Sequence, residues 1–234
     1  MFAAAGRSAP EQNGLEPRST PYVGSDVRYQ RPILAGDTIR SVTRLHSRVE
    51  RRTARLMVFE VSATDVAGEP VATYTYTCLW DRPDGPGGPR SAETAGEGEI
   101  AAGRHSGPVL LKHESHASIA TYSALLPDPI ADWRSVHTDP DFAARQLFSG
   151  QVNAGVTSAA YTAEWLDAVC GPAALSRPGG RLLSRAMRPV RAGDTLSVAG
   201  REILGEAGRQ SFVVLVTNQT GERVFESRAE VART

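Results

Sequence analysis

The chain has 234 residues, of which 41% are apolar and 22% charged, a globular composition that excludes wholesale disorder. Its 26 basic and 26 acidic residues cancel, which argues against nucleic acid or a membrane surface as partner. No apolar run approaches the roughly 18 residues of a membrane span, and Met1 to Ala5 is too short for a secretory signal. Cys78 and Cys170 are too few for a disulfide framework or a zinc site, and their apolar neighbours mark them as small buried hydrophobes. These features predict a soluble, cytoplasmic protein, of one large domain or two small ones at roughly 100–200 residues per domain.

Residues 1–25 contain Gly, Pro and Ser with no helical periodicity. Then comes the block Arg31-Pro32-Ile33-Leu34-Ala35-Gly36-Asp37-Thr38-Ile39, which recurs as Arg188-Pro189-Val190-Arg191-Ala192-Gly193-Asp194-Thr195-Leu196. Each copy is followed by a second marker, Gly68-Glu69-Pro70-Val71 and Gly221-Glu222-Arg223-Val224. Between markers the sequence alternates, as in Leu56 to Val61 and Phe212 to Val216, which predicts antiparallel strands joined at glycine turns. Two copies of one sheet unit are therefore expected. Residues 81–107 are dense in Gly, Pro, Ala and Glu and read as a flexible linker.

The second copy adds helices. Val109 to Leu111 reads as a short strand, and Ser115 as the N-cap of a helix from His116 to about Ala124. Asp139-Pro140 opens a short helix, with Asp as cap and Pro at the first helical position. Gly155 to Cys170 is the longest helix, with Val156, Ala159, Ala160, Ala163, Leu166 and Val169 as its apolar stripe and Gly171-Pro172 as its stop. The first copy has four strands and no such helix.

Chemistry concentrates just before that long helix. Asp132 and His137, five residues apart, straddle a turn ahead of the Asp139 cap. Gly155 then places a backbone N–H at a positive dipole end. Carboxylate, imidazole and helix-start amide are the parts of a proton-transfer site beside a developing oxyanion. An isolated Asp and His at this spacing also fit a helix cap and a surface imidazole. His113 and His116 lack a third ligand and fit a cap or surface better than a metal site. Glu50, Arg51, Arg52 and Arg55 fit either phosphate contacts or a solvated strand edge. Trp133 and Trp165 fit either a tunnel wall or a packed core.

The segment from Ala131 to Ala143 resembles the signature of the MaoC-like dehydratases, or (R)-specific enoyl-CoA hydratases, of the hotdog fold. Asp132, Val136 and His137 match it, Asp139-Pro140-Asp141-Phe142-Ala143 continues it, and Gly155 lies eighteen residues after His137, where the family starts its central helix. The repeated Arg-Pro-x-x-Ala-Gly-Asp-Thr block resembles the family's strand and turn after that helix. The departures are Ala131 for Gly, Arg134 for Asn and Ser135 for Pro. A longer stretch between Tyr122 and Asp132 also nominates Asp128 as a second choice of acid.

The resemblance implies an α+β chain of two tandem hotdog units, the second wrapping a long central helix and the first lacking one. Residues 1–80 would be a truncated, non-catalytic unit, residues 81–107 the linker, and residues 108–234 the catalytic unit. It implies reversible hydration of a 2-enoyl thioester to the (R)-3-hydroxyacyl thioester, with no metal or other cofactor. The acyl group would ride on CoA or on the pantetheine of an acyl-carrier protein. Asp132 and His137 would hold the water and the Gly155 N–H would meet the thioester carbonyl, with Trp133, Arg134 and Val156 lining the substrate. Arg134 would either pair with a carboxylate on the acyl group or turn outward to Asp128 or Asp139. A non-catalytic hotdog subunit binding a thioester is the alternative, and a thioesterase using Glu164 the third. A first sheet without a long helix predicts that the linker, the N-terminal segment or another subunit covers its face, with a homodimer or a hotdog partner subunit as the first expectation.

Overall fold

The computed structural model describes residues 21–51, 54–81, 107–124, 135–145, 148, 150–205 and 208–233. Four strands come first: β1 (Tyr22–Tyr29), β2 (Arg40–Arg51), β3 (Ala54–Thr64) and β4 (Pro70–Asp81). The short β5 (Leu110–His113) follows, then helices α1 (His116–Ala124), α2 (Pro140–Arg145) and α3 (Gly155–Cys170). Strands β6 (Arg181–Ala186), β7 (Thr195–Ile203), β8 (Arg209–Thr217) and β9 (Arg223–Ala232) complete the chain. Residues 1–20 and 82–106, and with the latter all of the expected linker but its two end residues, lie outside the described residues; Asp81 instead ends β4.

All nine strands form one sheet in the order β2-β3-β4-β1-β6-β9-β8-β7-β5. Reading outward from the β1–β6 seam gives β1-β4-β3-β2 on one side and β6-β9-β8-β7 on the other, so corresponding strands of the two copies take the same places in the sheet. The seam is antiparallel, with Ser25 opposite Ser184 and Val27 opposite Leu182. Arg181 pins it by donating to both carboxylate oxygens of Asp26, at 2.8 and 2.7 Å. Such two-point pairing fixes register as well as adding attraction.

The repeated blocks make the same turns. Gly36 and Gly193 have φ of 94° and 95°, a region that favours glycine. Behind them Asp37 accepts the Leu34 N–H at 3.1 Å, and Asp194 accepts the Arg191 N–H at 2.7 Å. The second markers also match. Asp65 accepts the N–H groups of Ala67 and Glu69, while Asn218 accepts those of Thr220 and Glu222. Each is a side chain replacing water for backbone donors in a tight hairpin.

The main core lies between α3 and β6–β9. It includes Trp165, Leu166, Leu196, Val198, Phe212, Val214 and Phe225, all at most 1% exposed. Trp165 belongs to this core: its indole N–H donates to the Pro108 carbonyl at 2.8 Å and its ring meets Phe212 edge-on. Ser115 and Ser118 cap α1 reciprocally, and Asp139 caps α2 through the Phe142 N–H at 2.8 Å. Helix α3 has the expected ends but a rotated face. Ala160 is exposed and Ala163 only half-buried, whereas Thr157, Ser158, Thr162 and Trp165 are buried. The cause is Gly200 on β7, whose missing side chain leaves room for the Trp165 ring: a Cβ there would sit 2.8 Å from it. That pocket for one large ring turns the helix. Cys78 is buried as expected, with its thiol pushed up to about 11 by desolvation, while Cys170 is only half-buried.

Candidate functional site

Gly150 to Ala154 is the strip of chain that delivers the site. Its backbone is pinned by a bridge between Val152 and Arg191, by the Asn153 N–H to the Val190 carbonyl at 2.8 Å, and by the Val152 N–H to the Val136 carbonyl at 3.3 Å. The strip ends at Ala154, which has extended backbone and no side-chain cap, and α3 begins at Gly155. The Thr157 N–H donates to the Ala154 carbonyl at 2.9 Å, and the Gly155 and Val156 amides before it are donors of the kind a helix start leaves without intrahelical partners.

His137 reaches the same strip from the other side. Its Nδ1 lies 2.8 Å from the Val152 carbonyl oxygen. A carbonyl only accepts, so Nδ1 carries the proton and Nε2 of the neutral ring is left as the basic nitrogen. Burial pushes the His137 pKa below its ordinary 6.5, and the bond to Val152 opposes that shift without cancelling it. A neutral imidazole near pH 7 is what a base requires. The His137 main chain is held too, by its N–H to Ser135 Oγ at 3.1 Å and by Gln151 Nε2 donating to its carbonyl at 2.5 Å. Gln151 in turn accepts a hydrogen bond from His116 Nδ1.

Gly155 has a steric reason to be glycine. A Cβ at this position would lie 2.3 Å from Cδ1 of Tyr22, the first residue of β1. Tyr22 is itself locked by stacking on Phe225 at 6.1 Å and by a 2.7 Å hydrogen bond between its hydroxyl and Ser25. Desolvation pushes its phenol up to about 12, so it stays neutral at any working pH. The first unit therefore supplies a wall beside the helix start. Val156 is buried in the same turn. So is Thr157, whose Oγ1 has no hydrogen-bond partner among the described residues.

Asp132, Trp133, Arg134 and Asp128 lie outside the described residues. Of the other candidates, His113 is exposed and 3.3 Å from Thr195 Oγ1. Glu50, exposed on β2, pairs with Arg48 of the same strand and Arg55 of β3. Glu164 is exposed and held by Lys112 at 2.6 Å, which occupies the carboxylate a thioesterase would need. Among the described residues no three His, Cys, Asp or Glu side chains gather as a metal site, and no helix is long and apolar enough to cross a membrane.

The sequence reading missed Glu114, Gln151, Asn153 and Tyr22. Gln151 and Asn153 are less than 9% exposed and Glu114 is 1% exposed. The only signal for Gln151 and Asn153 was their alternation with Val152 and Ala154, in a stretch too short to show a period.

No family model matches the chain, and no curated protein matches it. Solved structures do. A MaoC-like dehydratase superposes with a TM-score of 0.77 over 100% of this chain and 82% of its own, at 17% identity. A MaoC-like dehydratase from Phytophthora capsici gives 0.69 over 97% of this chain and 76% of its own, also at 17% identity. A Mycobacterium tuberculosis protein described as having a double hotdog fold gives 0.60 over 98% of this chain and 79% of its own, at 14% identity. The chain is a double hotdog protein. Its fold is that of the MaoC-like dehydratases.

Proposed function

We propose that the chain catalyses reversible hydration of a 2-enoyl thioester to the (R)-3-hydroxyacyl thioester. The observation that carries this reading is the meeting of His137 and the α3 start on one strip: the carbonyl that orients the imidazole is three residues before Gly155. The shared fold with MaoC-like dehydratases supports it.

The thioester carbonyl accepts the Gly155 N–H. His137 Nε2 and Asp132 hold one water between them, with Asp128 as the second candidate for the acid. As the water oxygen attacks C3, its proton passes to this pair and the C2–C3 π electrons move onto the thioester carbonyl as an enolate. The amide at the positive end of α3 stabilises that oxyanion, an interaction whose loss typically costs about 3–4 kcal/mol in the barrier. Returning a proton to C2 restores the thioester. Dehydration is the same path reversed. No metal or organic cofactor takes part, and Val156, Trp133 and Arg134 line the acyl group. The carrier is CoA or an acyl-carrier protein, and the working unit is a homodimer or a pair with another hotdog subunit in the cytoplasm.

A second reading, a hotdog subunit that binds a thioester without turning it over, is favoured by Ala131, Arg134 and Ser135 in the signature segment. The test is incubation with crotonyl-CoA, longer enoyl-CoAs and an enoyl carrier protein. Loss of enone absorbance without free thiol supports hydration. Saturable binding with neither signal supports the subunit reading, and thiol release supports a thioesterase.

A further inference from the structure

Glu114 stands between β5 and α1 and is 1% exposed. Burying a carboxylate is unfavourable unless donors replace its water. Here Asn153 Nδ2 donates to Oε1 at 2.7 Å and the Tyr161 hydroxyl donates to the same oxygen at 2.6 Å, with Ser118 Oγ at 3.5 Å from Oε2. The Glu114 main chain is clamped as well. Its N–H meets the Asp194 carbonyl at 2.8 Å, and its carbonyl accepts the Gly193 N–H at 2.6 Å, so it is fixed to the second copy of the repeated turn. Tyr161 is steadied by Lys112, the chain's single lysine, whose Nζ lies 5.2 Å from the ring centroid.

We propose that Glu114 is a positioning residue of the His137 site, acting through Asn153 and Tyr161. Asn153 adjoins Val152, whose carbonyl fixes the His137 tautomer, and is two residues from the start of α3. Tyr161 is on α3 itself. One buried carboxylate thus ties the imidazole's orienting carbonyl and the oxyanion helix to a single rigid point. The consequence for turnover rests on the hydratase reading. The consequence for the imidazole does not.

The experiment therefore has two readouts on the same proteins: the His137 tautomer in free protein, by nitrogen NMR of labelled histidine, and kcat and KM on an enoyl thioester. Glu114→Leu and Asn153→Ala are expected to lose the protonated-Nδ1 preference of His137. They should lower kcat about tenfold to a hundredfold, the scale of a displaced reacting group, with KM nearly unchanged because neither side chain touches substrate. Glu114→Gln is expected to rescue both, since one amide oxygen still accepts from Asn153 and Tyr161. Should Glu114→Leu not fold, Tyr161→Phe removes a single hydroxyl and carries the test with the same direction in both readouts. Folded variants that keep the tautomer and kcat overturn the proposal. A wild-type protein inert on every enoyl thioester overturns the hydratase reading alone, and the tautomer still decides the role of Glu114.

Discussion

Strand β2 of the first unit and strand β7 of the second each follow the same block of sequence, yet they end in different surroundings. Leu196 and Val198 on β7 are fully buried under α3, whereas Val42 and Leu45 on β2 are 56% and 55% exposed. Counting from the shared block, Gly200 of β7 corresponds to Thr43 of β2. The glycine stands where Trp165 enters the core, and the threonine stands where no helix of the described residues lies over the strand. The same scaffold was therefore specialised by what was laid on it. The unit that has α3 also has the buried polar residues Glu114, Gln151 and Asn153, and it holds His137. The other contributes strands, the seam and Tyr22.

The sharpest break in this asymmetry is functional. His137→Ala is expected to lower kcat about 10²–10⁴-fold, the usual scale of a lost general base, while leaving the melting temperature nearly unchanged. In the wild type the pKa of His137 is depressed by burial, so kcat should hold near pH 7 and fall only once pH drops below the ordinary 6.5. The sign for stability follows: a depressed folded pKa gives stability that is complete above 6.5 and is lost as pH falls through the folded value. Steady-state rates and unfolding curves over this window check both statements.

The next largest effect concerns packing. Trp165→Ala should cost about 3–5 kcal/mol in denaturant unfolding, because a fully buried indole leaves a cavity and orphans the Pro108 carbonyl. Leu45→Ala on β2 should stay within about 0.5 kcal/mol if that face meets water. A larger loss that grows on dilution would show instead that a second copy covers β2.

Steric exchange is smaller again. Gly200→Thr, which gives β7 the residue that β2 has, should cost about 1–3 kcal/mol by pressing on Trp165. Gly155→Ala should cost a similar amount against Tyr22, and Tyr22→Ala should relieve it. Additive losses in that double variant would mean that the first unit does not bear on the helix start.

These pairs also show which parts of the molecule were legible in advance. Turns at Gly36, Gly193, Gly68 and Gly221 were, because positive φ and side-chain caps are local chemistry written in a few residues. The ends of α3 were legible for the same reason. Its buried face was not: alanine gives little signal of direction, and the face is set by Gly200, far away in sequence. His137 and Gly155 were nominated through their spacing, and the structure brings them to one strip of chain. Glu114 escaped because its role depends on donors from residues 39 and 47 positions away, which no local pattern reveals. Tyr22 escaped because it acts across the seam between units.

The smallest expected effect separates two hairpins that look alike. Asp65 in the first unit and Asn218 in the second each accept two backbone N–H groups in matching turns. The difference is charge. Asp65 has its pKa lowered first by the backbone donor of Glu69, then by Ala67 and Arg31, whereas Asn218 does not titrate. A lowered folded pKa means that the Asp65 turn helps stability above the ordinary 3.8 and loses that help as pH falls through the folded value. Asp65→Asn copies the second unit's turn into the first. The variant should keep the hairpin, since an amide oxygen accepts both donors, and should show a flatter loss of stability between about pH 5 and pH 2 than wild type. Unfolding followed at several acidic pH values reads this directly. Parallel curves for the two proteins would mean that Arg31, which also reaches Asp37 at 2.8 Å, compensates fully and that the charge in the first hairpin is idle.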